Sequence, residues 1–372
     1  MLPALRPEQY EDDQAALATA EAIETQFAEP RPEAVRMLLA ILRGSQMGPE
    51  SGWFGPAERR YTWEWLTAQH DLPADGPGIA RDVFRGPADA WARLDRNGDG
   101  TITRDDLDWS DRHPWVQAGN VLQRAFRRLD AHGDGRLTRD EWLQFFDQVA
   151  AEKEHLTSDD LRQALMPPVR FSPGDAPTRA MLVQGLFSGE IGSMQTGAQL
   201  DSLAPDFTLS TPDGATSYQL SQLIGERPVV LMFGNFTCGP FRACYPEVEN
   251  VWRRHRHDTN FLMVYVREAH PTDGWRMESN AHAQVAVAQP TTLAQRMAAC
   301  RQFIAKAQAQ VPIVVDEITD PVGHAYSAMP ARLYVIDRAG RIAYKSGRGP
   351  FGFRTGEMEQ ALVMTKMAGA WT

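Results

Sequence analysis

Unbroken apolar runs and helix-period stripes divide this chain into two parts of different character. From about residue 229 the hydrophobic positions come in short continuous runs, Val229-Val230-Leu231-Met232-Phe233 the clearest of them. Such runs read as strands buried on both faces. The pattern predicts strands at 229–233, 261–266, 312–315, 332–337 and 341–345, and helices at about 241–255 and 356–368. A long irregular and helical excursion separates the second strand from the third. Upstream, Phe207-Thr208-Leu209 and Tyr218 flank Pro212-Asp213-Gly214 as a hairpin, and Leu220 to Leu223 lead into the first buried strand. Asp337-Arg338-Ala339-Gly340 fits a tight turn joining the last two strands. Alternating strands and helices ending in a hairpin imply an α/β unit, a mixed central sheet with helices on both faces.

The first half is helix-patterned. Residues 14–43 read as helices broken at Pro30-Arg31-Pro32, and 44–56 as a loop whose Trp53 and Phe54 pack on a neighbouring helix. Residues 57–70 return to helix, with Trp63 and Leu66 on one buried face. Residues 1–85 carry no visible chemistry, so their expected role is to pack against and orient the segment that follows. Met166 to Leu203 is rich in Pro and Gly and reads as a surface tether, with room for a short helix from Arg179 to Phe187. The expected organisation is a helical region at 1–85, an all-α loop-helix pair at 86–165, a linker at 166–200 and the α/β unit at 201–372.

Two oxygen-rich loops mark the 86–165 segment. The first offers Asp95, Asn97 and Asp99, a turn glycine at Gly100, the Thr101 carbonyl and a closing Asp106; the second offers Asp130, His132, Asp134, the Arg136 carbonyl and Glu141. The loops begin 35 residues apart (95 to 130), and Ile102 and Leu137 fall at equivalent apolar positions. Val121, Leu122, Ala125, Phe126 and Leu129 line one face of the helix between them. This is the spacing of an EF-hand pair, and it calls for Ca2+. Asp106 is one methylene shorter than the usual closing glutamate, which weakens calcium or shifts the first loop toward Mg2+. His132 puts an imidazole where a hard cation wants oxygen, unless it faces solvent and a water bridges. A pair kept for packing alone stays open, and the long tether predicts weak coupling between the loops and the α/β unit.

Charge narrows the partners. Asp and Glu number 48 against 38 Lys and Arg, a net charge of −10, which disfavours nucleic acid and anionic membrane surfaces. No run approaches the roughly 20 apolar residues of a membrane span. Met1 to Asp13 lacks the basic-then-apolar pattern of a secretory signal. Three cysteines cannot form a disulfide framework, so a reducing, cytoplasmic setting is expected.

Cys238 is the candidate nucleophile. It follows the 229–233 strand in the turn Gly234-Asn235-Phe236-Thr237-Cys238-Gly239-Pro240, where free backbone N–H groups and the helix dipole favour a thiolate. Cys244, six residues on, is either a resolving thiol or a core thiol. Cys300 shares a helix face with Leu293, Met297 and Ile304 and reads as packing, behind a Thr292/Gln295 capping box. Pro330, before the 332–337 strand, offers a cis bond facing Cys238.

Leu203-Ala204-Pro205-Asp206-Phe207 and the Cys238 turn resemble the thioredoxin-like superfamily, notably its peroxiredoxins. Phe233 to Phe241 more closely resembles the selenocysteine motif of iodothyronine deiodinases, with Cys238 at the selenocysteine position. Val264-Tyr265-Val266-Arg267-Glu268-Ala269-His270-Pro271-Thr272-Asp273-Gly274-Trp275 is a second match, continued by Pro312 to Asp316, Met329 to Tyr334 and Gly349-Pro350-Phe351. The resemblance implies a thioredoxin-like fold, Cys238 as nucleophile beside Thr237, His270 as proton-transfer partner, an iodinated aromatic substrate and an external reducing thiol. An imidazole with its reference pKa near 6.5 suits that exchange. Asp273 or Glu268 would orient His270 unless each is an ordinary loop charge; Arg276 would meet an anionic substrate tail; Arg332 would anchor the sheet edge near Pro330. His324 is a weaker candidate beside Pro330. A peroxiredoxin-like peroxidase or disulfide reductase is the alternative, although the position three before Cys238 is Asn235 where peroxiredoxins carry threonine. A calcium-binding scaffold with an inert thiol is another, and a homodimer is left open.

Overall fold

The computed structural model describes residues 7–44, 57–108, 125–126, 128–132, 137–165, 175–191, 196–349 and 352–371. Expectations for Trp53, Phe54, Val121, Leu122, Asp134, Arg136, Pro350, Phe351 and residues 166–174 of the tether lie outside the described residues. The described strands are β1 Glu58–Arg59, β2 Ile79–Ala80, β3 Thr101–Ile102, β4 Thr208–Ser210, β5 Ser217–Gln219, β6 Val229–Gly234, β7 Asn260–Tyr265, β8 Ile313–Val315, β9 Arg332–Ile336 and β10 Ile342–Lys345. Eight of them form one sheet in the order β1-β10-β9-β6-β7-β8-β4-β5.

Every residue of β6, β8, β9 and β10 is buried, with no in–out alternation, so both faces of the sheet centre are covered, as the continuous apolar runs require. β6 runs parallel to β7, pairing Val229 with Asn260 through Gly234 with Tyr265, and antiparallel to β9. A parallel β6–β7 crossover followed by the antiparallel β9–β10 hairpin is the core of a thioredoxin-like fold, and its strand limits fall within a residue of those read from the pattern.

The start of the expected 57–70 helix is instead β1. Glu58 and Arg59 pair with Lys345 and Tyr344 and cover the open edge of β10. Glu58 meets the buried Lys345 ammonium at 3.1 Å, and Arg59 reaches the Leu107 carbonyl and Glu357 at 2.9 and 3.0 Å. Helix begins only at Trp63, where Thr62 caps Trp63–Ala68.

The two N-terminal helices, Asp13–Gln26 and Glu33–Leu42, correct a second expectation. Among the described residues they pack on the helix Arg179–Ser188 and on Trp275 of the α/β unit, through Ile23, Met37, Ile41, Leu182 and Leu186, whereas Trp63, Leu66 and Ile79 of the same 1–85 region do pack on the calcium-loop segment. Glu33 pins the two helices to the α/β unit by a buried two-pronged pair with Arg348 at 3.0 and 3.2 Å.

The first calcium loop is likewise attached directly. Its Ile102 pairs with Ile79 in the β2–β3 ribbon, while Leu137, at the equivalent position of the second loop, is 37% exposed. Trp63, Leu66, Trp91, Leu94 and Ile102 enclose a cluster completed by Val363, Met364 and Met367 of the last helix, Thr355–Trp371. Gln360 of that helix donates to the Asp106 carbonyl at 2.8 Å. Glu359 accepts from Arg93 of the helix before the loop at 2.8 Å, and from Arg254 and His255 at the end of the helix Gly239–His255 at 2.7 and 2.8 Å. Tether length therefore does not separate the loop from the α/β unit.

Burial would raise the Glu359 carboxyl, but the His255 contact and the Arg254 guanidinium hold it well below the usual carboxylate range. Glu359→Gln removes the carboxylate that Arg93, Arg254 and His255 share, leaving Arg254, itself 7% exposed, with Glu247 at 3.5 Å, and is expected to cost about 2 kcal/mol in urea unfolding at neutral pH. Because the folded-state pKa is depressed, that difference is full above about pH 4.3 and shrinks as pH falls below it. A pH-independent difference would contradict the charge assignment.

Candidate active site at the end of β6

β6 ends at Gly234 because nothing larger fits: a Cβ there would lie 2.3 Å from the Phe241 ring. The chain then turns through Asn235 to Cys238 and starts the helix Gly239–His255, with Cys238 as its N-cap residue and Pro240 in the first turn, where a missing N–H costs nothing.

Two buried side chains hold this turn. Asn235 Oδ1 accepts from the Cys238 and Ala269 N–H groups at 3.0 and 3.2 Å, and its Nδ2 donates to the Pro330 carbonyl at 3.0 Å. The Met329–Pro330 bond is cis, and the Asn235 amide links its carbonyl to the Cys238 N–H. Glu268 is fully buried, and its Oε2 accepts from the Thr237 N–H at 2.9 Å and the Thr237 hydroxyl at 2.7 Å. Oε1 accepts from the Tyr265 hydroxyl, which in turn accepts from the Phe236 N–H at 3.1 Å. Gln289 brackets the backbone of Glu268, at 3.0 Å to its N–H and 2.9 Å to its carbonyl. Glu268 is therefore neither a loop charge nor an imidazole orienter. Burial pushes its carboxyl up, and the Tyr265 and Thr237 donors pull it back.

Thr237 joins the two halves. Its hydroxyl gives its one proton to Glu268 and accepts the His270 N–H at 2.9 Å. It sets where His270 leaves the strand end through the backbone N–H. The ring is oriented by Trp275: Nδ1 donates to the Trp275 carbonyl at 3.2 Å, and the two rings meet edge-on with centroids 4.9 Å apart. Asp273, expected in that role, instead accepts the Gln289 N–H at 2.8 Å. With Nδ1 donating, Nε2 keeps its lone pair. Burial drops the His270 pKa to about 4, so the ring is neutral at pH 7 and not poised near 6.5.

The thiol departs further from expectation. Cys238 is 1% exposed, and burial pushes it up to about 12, against the opposing pull of the Phe241 N–H and Arg242. A helix dipole contributes at most about 2 kcal/mol, and desolvation of a closed site outweighs it. None of the three cysteines is in a disulfide. Cys244 lies half-buried on the same unbroken helix, where six residues of rise separate the Cα atoms by roughly 9 Å, too far for a disulfide without unwinding. Cys300 is core, buried with Phe303 on the helix Leu293–Ala307, whose Thr292/Gln295 capping box is formed.

Arg332 is buried, its Nε donating to the Ser346 carbonyl and its Nη1 to those of Thr196 and Ser327, each at 3.2 Å. It anchors loops around an interior strand, since β9 lies between β10 and β6 and not at the sheet edge. Arg276 and His324 are exposed and stand outside the buried network. The pattern gave no role to Asn235, Tyr265, Trp275 or Gln289. A hydroxyl closing the apolar run 261–265 was the available signal, because a buried tyrosine needs a partner for its O–H.

In the first calcium loop Asp95 accepts from the Gly98 and Gly100 N–H groups at 2.9 and 3.0 Å, and Asp99 from the Thr101 N–H at 2.9 Å. Gly100 has φ +87°, which the sharp turn demands, with no atom within 4 Å of where a Cβ would stand. The oxygen set and open loop fit a hard cation. The closing residues cap their own helices: Asp106 takes the Thr103 N–H and hydroxyl at 2.8 Å, and Glu141 takes those of Thr138 at 2.8 Å and His132 Nδ1 at 2.8 Å. His132 is thus largely exposed yet engaged with the closing carboxylate. Asp130 is buried at the head of that loop.

Comparison with known proteins meets this geometry. Residues 92–108 and 122–146 match the EF-hand family. A thyroxine 5-deiodinase of Ovis aries is 29% identical over 212 residues, 57% of this chain and 69% of that protein. A type I iodothyronine deiodinase of Xenopus laevis is 29% identical over 163 residues, 44% of this chain and 62% of its own length. Among solved structures, a putative thiol:disulfide interchange protein DsbE from Chlorobium tepidum covers 45% of this chain and 99% of its own at 17% identity, with a TM-score of 0.32. The family model for iodothyronine deiodinase matches residues 180–366, half of the chain, which takes in β4 to β10, the Cys238 turn, Glu268 and His270. The chain belongs to the iodothyronine deiodinase family, with cysteine as its nucleophile candidate and EF-hand loops ahead of the family domain.

Proposed function

We propose that the protein is a thiol oxidoreductase that removes iodine from an iodinated aromatic compound through Cys238. One observation carries this reading: Thr237 and Glu268 bind the nucleophile turn and the His270 segment into a single buried unit in a member of the deiodinase family. The Cys238 thiolate attacks iodine, the C–I bond breaks with its electron pair left on the ring carbon, and that carbon takes a proton. The resulting sulfenyl iodide is reduced by two equivalents of external thiol, giving disulfide, iodide and the regenerated cysteine. His270, neutral and with Nε2 bare, is suited to accept the thiol proton and return it to the ring carbon. Both groups are held uncharged at rest, so the reaction needs an opening that admits water or substrate to the turn. Arg276, exposed on the same excursion, suits an anionic tail of the substrate.

We assign calcium to the EF-hand loops, held by Asp95, Asn97, Asp99, the Thr101 carbonyl and Asp106 in the first and by Asp130 and Glu141 in the second. Its charge would draw Asp106 and Glu141 from the helix caps they now make. Three cysteines held as thiols support a reducing, cytoplasmic setting. Among the described residues no helix is long and apolar enough to cross a membrane.

With excess dithiol, the reduced protein is expected to release iodide from an iodinated phenol; Cys238→Ala abolishes turnover, and His270→Ala lowers it by about 100-fold. Cys238-dependent peroxide consumption without iodide release would reassign the protein as a peroxidase, and inactivity in both assays would favour a scaffold. The closed site makes a further expectation. Native Cys238 should react with iodoacetamide at least about 100-fold more slowly than an unfolded cysteine at pH 7.5, and urea should remove the difference. Calorimetric titration of chelator-treated protein should show saturable calcium binding below millimolar ligand; no uptake would refute the assignment.

A further inference from the structure

One cation reaches the Cys238 turn from its own helix. Arg242 stands one helical turn after Cys238, its N–H donating to the Cys238 carbonyl at 3.1 Å. The side chain folds back toward the helix start. Nη1 donates to the Phe236 carbonyl, Nη2 to Asn280 Oδ1 at 2.7 Å, and the guanidinium carbon lies 6.0 Å from the centre of the Phe236 ring. Asn280 completes the buckle by donating to the Thr237 carbonyl at 2.9 Å. The guanidinium is thus tied to the two residues before the thiol and to the helix Glu278–His282 of the excursion that packs over them.

The other ionisable groups around the thiol do not help it. Cys244 on the same helix and Glu268 beyond β7 both disfavour a negative sulfur, and burial disfavours it most. His270, from the same strand end as Glu268, is neutral. Arg242 alone among these groups favours the thiolate; burial pulls its own pKa down, and Cys238, Glu268 and Tyr265 oppose that pull. Opening the excursion would relieve the burial of the thiol. It would not remove Arg242, whose backbone belongs to the nucleophile's own helix.

We infer that Arg242 is the electrostatic partner of Cys238: tied down by Asn280 while the site is closed, its guanidinium holds the thiolate ionised once the excursion lifts. This rests on Cys238 being the nucleophile proposed above. It needs no particular substrate, and its test reads thiol ionisation instead of iodide release, so the two readings fail separately.

The test is the pH profile of Cys238 alkylation by iodoacetamide, followed by mass spectrometry of the Cys238 peptide so that Cys244 and Cys300 do not contribute. Because alkylation proceeds from the opened site, the midpoint reports ionisation there. Arg242→Gln should move that midpoint up by about one pH unit, a tenfold slower reaction at neutral pH, while Arg242→Lys should keep it within about 0.3 unit. Asn280→Ala removes the buckle and keeps the charge, so it should speed alkylation at every pH and leave the midpoint in place. A purely structural role predicts the reverse, with Asn280→Ala shifting the midpoint as Arg242→Gln does. An unmoved midpoint in Arg242→Gln, or equal shifts in the two variants, would overturn the inference. The wild-type protein supplies a measurement that no folding defect can confound: 1 M NaCl should raise the midpoint by a few tenths of a unit through screening, and a salt-independent midpoint would also overturn it.

Discussion

The Glu268 carboxylate is the constraint on which the site depends. The parallel register carries β6 and β7 side by side as far as Gly234 and Tyr265, and past that point no ladder remains to pair the backbone of the Cys238 turn. Glu268 supplies the missing acceptor for Thr237 and anchors the tyrosine that accepts from Phe236. Each buried donor left unmet would cost roughly 1–3 kcal/mol, so the turn has little freedom to take another shape while this carboxylate stays in place. Asn235 adds the third side, the loop of the cis-proline.

The same burial that fixes the geometry also suppresses the chemistry. A thiol moved from 9.0 to about 12 is disfavoured as a thiolate by roughly 4 kcal/mol, and the imidazole is shifted in the opposite direction. The resting pair is therefore neutral on both sides, unlike a preformed thiolate–imidazolium pair, and reactivity is tied to access. A closed site of this kind protects a lone thiol from oxidation, which matters in a protein whose second helix cysteine stands too far along the same helix to form a disulfide directly.

The sheet was legible because a strand buried on both faces writes itself as an unbroken apolar run, and β6 to β9 each carry one. The thiol was legible from its place after the first buried strand and the Glu268–His270 segment from its resemblance to the deiodinase motif, while Pro330 offered a cis bond without requiring one. Contacts between distant segments were not legible. An apolar stripe such as Met37–Ile41 says that a face is buried without saying against what, and Ile102 reads the same whether it pairs with Leu137 or with Ile79. The charge state of Cys238 was misjudged for a related reason: sequence shows that a thiol sits at a helix start, whereas its exposure is decided by the core that closes around the turn. His270 failed in the same way, because the carbonyl that orients it belongs to a Trp275 buried by the N-terminal helices.

The last helix gives the molecule an unusual order of assembly. Val363, Met364 and Met367 complete the apolar core around Trp91 and Ile102, so that core lacks one wall until the chain has been made through to the thioredoxin-like domain's final helix. On a ribosome the EF-hand segment emerges early and waits with part of its interior open to solvent, a period in which premature association is the hazard. Such distant closure slows folding but makes it conditional on complete synthesis. A chain interrupted before this helix would lack both the covering of its calcium-loop core and a layer of its catalytic sheet, and quality control would meet one defective molecule where two independent domains would have left one sound half.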